Sequence, residues 1–156
     1  MLGLKLLLSI AVPLLIGGAG GWATAQGVRA WYPALVKPPF NPPAWVFGPV
    51  WTLLYILMGV AFFLVWRRFR VSPTSGRAMA AYGVQLLLNF FWSFLFFWAR
   101  SPGWALLEIL VLLLVLALTT RLFFRENRLA GWLMTPYLAW VTFASVLNAS
   151  IWILNR

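Results

Sequence analysis

An all-α membrane protein, a bundle of five transmembrane helices, is predicted by three features of this sequence. Of 156 residues, 63% are hydrophobic and only 9% charged, too little polar surface to cover a soluble domain of this size. The apolar residues fall into five stretches of about 20, the length that crosses about 30 Å of hydrocarbon as a helix. The basic residues sit at the ends of those stretches, where cations meet headgroups. The predicted spans are about 4–24, 45–66, 78–99, 103–124 and 131–154 of a single domain, 1–156.

Span one, about 4–24, has Lys5 at its start and carries Gly17, Gly18, Gly20 and Gly21, small residues that let another helix approach closely. Lys5, the run from Leu6 to Ile16 and Ala23-Thr24-Ala25 also match a secretory leader with an A-x-A cleavage site. The long, glycine-rich run favours a retained span; the alternative is a cleaved leader and four spans. The connector that follows, about 25–44, holds Pro33, Pro38, Pro39, Pro42 and Pro43. Prolines fix φ and limit the loop's freedom, so this segment reads as a stiff, aromatic lid over one end of the bundle.

Span two contributes Trp51 and Tyr55, one turn apart. On span three, Gln85, Asn89, Trp92 and Phe96 share one helical face. Span four opens with Trp104 and holds Glu108 one turn further in, where it is placed to face Arg100 near the interface. On span five, Tyr137, Trp140, Ala144 and Asn148 share a face. Pro49 and Pro136 read as helix-shaping residues. Trp22, Trp66, Trp98 and Trp132 are assigned to the interfacial aromatic belts.

With five crossings, the side holding the N-terminus carries Lys5, Arg67, Arg68, Arg70, Arg77, Arg121, Arg125 and Arg128, against Arg29, Lys37, Arg100 and Arg156 opposite. That bias predicts a cytoplasmic N-terminus in an inner membrane. The net charge of +10 therefore points to lipid headgroups rather than nucleic acid.

Several chemistries lack their residues. The chain has no Cys, His or Asp, so thiol chemistry, the usual zinc and copper ligands, Ser-His-Asp arrangements and the commonest haem axial ligand are absent, and no metal site is expected. The two acids, Glu108 and Glu126, fall on different elements and cannot form an acid-base pair. What remains is a set of polar and aromatic groups in one half of the membrane. At about 1.5 Å of rise per residue, Trp51, Trp104, Asn89 and Asn148 all fall in the half capped by the proline-rich connector. An apolar pocket with a few convergent polar groups is the usual form of a small-molecule site.

These residues also carry a resemblance. The stretch from Trp31 through Lys37-Pro38 and Pro42-Pro43-Ala44-Trp45 to Trp51 and Tyr55, the run Gln85 to Trp92, Gly103-Trp104-Ala105-Leu106, and Pro136-Tyr137 through Trp140, Phe143-Ala144 and Leu147-Asn148 strongly resemble the translocator protein family, also called tryptophan-rich sensory protein or peripheral benzodiazepine receptor. It covers about residues 28–156. The resemblance implies a five-helix bundle, commonly a homodimer, whose pocket lies under the first loop. It also implies non-covalent binding of porphyrins such as protoporphyrin IX, of sterols and of isoquinoline carboxamide or benzodiazepine-type drugs, with a role in tetrapyrrole transport or regulation.

Carried over by motif, the ligand-binding residues would be Trp31, Trp51, Asn89, Trp92, Trp104, Trp140, Ala144 and Leu147, and the lid residues Lys37, Pro38, Pro42 and Pro43. Bacterial relatives imply an alternative, light-dependent porphyrin degradation, with Trp51 and Trp140 as candidate electron donors. A third reading is a partner-binding membrane protein whose aromatic surfaces meet other helices. Two positions depart from the family pattern. Ala149 stands where a sterol-recognition motif has Tyr, a motif class that is weak even when intact, and Phe40 stands where relatives often have Trp.

Overall fold

The computed structural model describes residues 2–69 and 71–156, with Gln26 described by its backbone alone; Arg70, counted above among the basic residues of the N-terminal side, lies outside them. Five helices, α1 (Leu2–Ala30), α2 (Ala44–Trp66), α3 (Ser75–Ser93, continued by a π-helical turn Phe94–Trp98), α4 (Pro102–Glu126) and α5 (Arg128–Leu154), are each long and apolar enough to cross a membrane. The protein is a multi-pass integral membrane protein by this architecture.

The helices close into a ring. α1 packs against α2 and α3, α2 against α5, α5 against α4, and α4 against α3. Each helix turns one stripe inward, which on α4 is Ala105, Ile109, Leu112, Leu116 and Phe123 at the spacing expected of a packed helical face. The α2, α3 and α5 stripes meet it around Met58, Tyr82, Met134 and Tyr137. A smaller cluster of Phe96, Ala105, Leu147 and Ile151 fills the end near the connector.

Local sequence sets the ends. Asn127 caps α5 by accepting from the Ala130 amide at 3.1 Å, and Pro102 occupies the first turn of α4, where its missing N–H costs nothing. At the N-terminal side, Ser72 and Thr74 both donate to Glu126, and Arg68 lies 4.0 Å from its other oxygen, joining the α2–α3 loop to the end of α4.

Three expectations need correction. Glu108 and Glu126 were placed on different elements, but both lie on α4, Glu126 as its last residue, and about 27 Å of helical rise still keeps them apart. The connector was placed at about 25–44, but α1 runs on to Ala30 and the loop spans 31–43. Helix-compatible residues carry α1 on to Ala30, and the backbone then tightens into a 3-10 turn, Tyr32–Ala34, around Pro33, which has no N–H to extend the α-helical ladder. Glu108 was placed opposite Arg100, but among the described residues Arg68–Glu126 is the only ion pair, and both Glu108 carboxylate oxygens are buried without a hydrogen-bond partner.

Candidate functional site

The ring encloses a cavity of about 500 Å³ beneath the α1–α2 loop. Its aromatic corner is built by α2 and α5. Trp51 stacks on Tyr55 at 5.5 Å and 28°, and meets Trp140 edge-on at 6.5 Å. Phe47 meets Trp140 edge-on at 6.0 Å. Such offset and edge contacts match the quadrupoles of the rings and hold both indoles against the cavity.

The polar groups below this corner are matched to one another. The Tyr55 hydroxyl donates to Asn89 Oδ1 at 2.7 Å, and Asn89 Nδ2 donates to the Tyr137 hydroxyl at 2.9 Å. One amide thus ties α2, α3 and α5 together under the cavity, where an unpaired polar group would be costly. On the opposite wall, Trp92 Nε1 donates to Asn148 Oδ1 at 3.0 Å, while Asn148 Nδ2 donates to the Pro102 carbonyl at 2.8 Å. Trp92 is then stacked on Phe96 at 5.3 Å.

The third wall is α1, where Gly17, Gly18, Gly21, Thr24, Ala25 and Val28 face the cavity. The Tyr55 ring occupies the space that a Cβ at Gly17 would need, whereas Gly18 and Gly21 have open space before them. The glycines expected to serve helix contact therefore divide: Gly17 and Gly20, which faces Ser93, meet neighbouring helices, and Gly18 and Gly21 leave room. α1 is also the least enclosed helix, with 11% of its apolar window buried against 28% to 33% in the others.

The roof is tied internally. The Tyr32 hydroxyl donates to Asn41 Oδ1 at 2.7 Å, and burial raises its pKa against the lowering effect of that bond. Lys37 Nζ donates to the carbonyls of Leu35 at 2.8 Å and Pro33 at 3.2 Å and lies 5.1 Å from the Tyr32 ring centre. Phe40 rests edge-on against Phe143 at 6.3 Å.

The structure brings Trp51, Trp92, Trp140, Ala144 and Leu147 to the cavity surface. It does not bring the rest. Asn89 lies beneath, bonded to the two tyrosines; Trp31 stands behind Phe96, edge-on at 5.7 Å. Trp104 is 67% exposed on the outside of α4, because Ala105 holds the inward position and the preceding residue is rotated by about 100°. Lys37, Pro38, Pro42 and Pro43 shape the loop without lining the cavity. Motif reading did not assign Tyr32, Phe47, Tyr55, Phe96, Asn148 and the α1 wall. The α1 residues had a signal, since Gly17, Gly21, Thr24 and Val28 recur at helical spacing. None of the described lining residues is charged, so the cavity suits an apolar body offered to aromatic faces.

Comparison with known proteins agrees with this architecture. The profile of the TspO/MBR family matches residues 9–153. The chain belongs to the TspO/MBR family. It is 43% identical over 152 residues to the tryptophan-rich protein TspO of Archaeoglobus fulgidus, covering 97% of each chain. It is 41% identical over 130 residues to the translocator protein of Homo sapiens, covering 81% of this chain and 75% of that one. The tryptophan-rich sensory protein of Cereibacter sphaeroides is 41% identical over 127 residues, with 80% and 77% covered.

Proposed function

We propose that this TspO/MBR member binds flat, hydrophobic ligands, porphyrins such as protoporphyrin IX foremost, in the cavity under its first loop, and acts through that binding in a membrane sensory or translocator role. The observation that carries this is the corner formed by Trp51, Tyr55 and Trp140 around about 500 Å³ of uncharged space. Stacking and shape suffice for a free-base porphyrin, which needs no axial ligand. Relatives named translocator protein and tryptophan-rich sensory protein support the role. Sterols and isoquinoline carboxamide or benzodiazepine-type drugs fit the same description by their apolar, ring-rich bodies, and the chain is proposed to work as a homodimer.

The test is a dark titration of detergent-solubilised protein with protoporphyrin IX, followed by quenching of tryptophan fluorescence. Saturable binding near micromolar, about −8 kcal/mol, weakened by Trp51→Phe and Trp140→Phe, is the expected result. Absence of saturable binding would overturn the reading.

A second reading is favoured by one geometric fact: Trp51 and Trp140 both line the cavity and touch each other, so either indole could give an electron to a photo-excited porphyrin beside it, with oxygen as the final oxidant. The double variant to Phe should then lose light-dependent degradation even at porphyrin concentrations that saturate its weakened site. Degradation at the wild-type rate in that variant would sink it.

A further inference from the structure

A second cleft, of about 430 Å³, lies between α1 and the end of α3 and is lined by Trp22, Phe97, Trp98 and Arg100. We propose that this cleft holds one membrane glycerophospholipid, with its phosphodiester on Arg100 and its acyl region against Trp22 and Phe97.

Charge is the first argument. Among the described residues Arg100 has no carboxylate partner: the one ion pair is Arg68–Glu126, and Glu108 pairs with nothing. The other cations of this side are engaged or elsewhere, since Lys37 donates to two loop carbonyls and Arg156 lies over Trp152 at 5.4 Å. Arg29 stands seven residues beyond Trp22, on the same face of α1, and adds a second positive charge to this flank. An arginine fork matches the two free oxygens of a phosphodiester, and no described residue pairs it with an anion.

Construction is the second. The end of α3 widens into a π turn, with the Ala99 amide on the Phe94 carbonyl at 2.9 Å and the Ser101 amide on the Leu95 carbonyl at 3.0 Å. Arg100 closes it at φ 51°, alone among the described non-glycine residues in the left-handed region. Glycine is the usual residue for such a helix stop, and a side chain there crowds the backbone. The same turn stacks Trp98 on Phe94 at 4.5 Å and 20°, leaving the indole 54% exposed beside Trp22, which is 67% exposed. α1 comes near enough to this turn that a Cβ on Gly27 would collide with the Phe97 backbone, so the two flanks of the cleft are held at fixed spacing. Paired tryptophans and a free arginine at the mouth of a membrane-level cleft suit the headgroup boundary of a lipid. Phe97 faces the main cavity as well and forms a wall common to both.

The test uses the full chain in a neutral detergent and native mass spectrometry, with dioleoylphosphatidylglycerol as the probe. Wild type should retain one lipid per chain saturably, and Arg100→Gln should lower its occupancy by about fivefold or more, the loss expected for a charge-assisted fork. Dioleoylglycerol, which lacks the phosphate, should give no saturable adduct, and excess inorganic phosphate should not displace the lipid. Trp98→Ala should also lower occupancy. If Arg100→Gln melts early by circular dichroism, Arg100→Lys, which keeps the charge and loses the fork, should show intermediate occupancy. Equal occupancy in wild type and variants, displacement by phosphate alone, or chain dimers free of lipid would each overturn the assignment, the last by giving the cleft to a second copy of the chain.

Discussion

The Asn155 side chain clasps the backbone of Val36: its Oδ1 accepts from the Val36 amide at 2.9 Å and its Nδ2 donates to the Val36 carbonyl at 2.9 Å. The middle of the α1–α2 loop is thereby fastened to the end of α5, 119 residues away in sequence. Asn155 Nδ2 also donates to the Ile151 carbonyl at 2.7 Å, which fixes the amide's orientation.

Asn155→Ala should release the roof. Two net hydrogen bonds are worth about 2 kcal/mol together, so porphyrin should dissociate about tenfold faster or more, with little change in association. Stopped-flow fluorescence in the dark reads this directly. An unchanged off-rate would mean that the loop does not govern ligand residence.

Pro42→Ala with Pro43→Ala tests the loop's stiffness instead of its anchor. Removing two fixed φ angles enlarges the loop's freedom by about 0.4 to 1 kcal/mol per proline, and the off-rate should rise by a smaller factor than in Asn155→Ala. The reverse order of the two effects would count against the anchor.

Asn89→Leu should act on stability. It leaves the hydroxyls of Tyr55 and Tyr137 buried without each other's shared partner, a loss of about 1 to 2 kcal/mol, allowing for the modest worth of hydrogen bonds inside membrane bundles. The melting temperature in detergent should fall by several degrees. A variant with normal melting and abolished porphyrin binding would show instead that Asn89 meets the ligand.

Trp104→Phe should leave porphyrin affinity unchanged, within about twofold, whereas Trp140→Phe should weaken it, as expected if contact area with the ligand carries affinity. Parallel quenching titrations distinguish them. Equal losses would place the ligand outside the cavity, against α4.

How far the sequence could be read depended on which coordinate each signal reports. Hydropathy reports length along the membrane normal, and the five helices follow it within a few residues; the exception is the end of α1, where Ala25 to Ala30 remain helical beyond the apolar limit. Residue counts also gave depth, which put Trp51, Trp104, Asn89 and Asn148 in one half of the membrane; in the structure Trp51 and Asn148 line the cavity and Asn89 bonds to Tyr55 beneath it. Depth says nothing of rotation about the helix axis. Trp104 shares their level and faces outward, and only the inward stripe through Ala105 and Ile109 reveals it. Asn89 was legible as a buried amide in need of partners, but whether those partners would be ligand or protein depended on Tyr55 and Tyr137 reaching it across the bundle. The α1 wall was hardest to see, since Gly18 and Gly21 act through the side chains they lack.

That bare wall has a consequence for selectivity. Because the backbone itself bounds the cavity at Gly18 and Gly21, with nothing within 4 Å of where a Cβ would stand, its bore can be narrowed one methyl at a time while the aromatic corner opposite stays intact. Gly18→Ala and Gly21→Ala would act as gauge blocks, admitting slender ligands and rejecting broad ones in graded steps. Gly17 offers no such adjustment, since the Tyr55 ring already fills its berth. The calibre of this cavity is therefore set on its plainest helix, away from Trp51, Trp92 and Trp140 on its other walls.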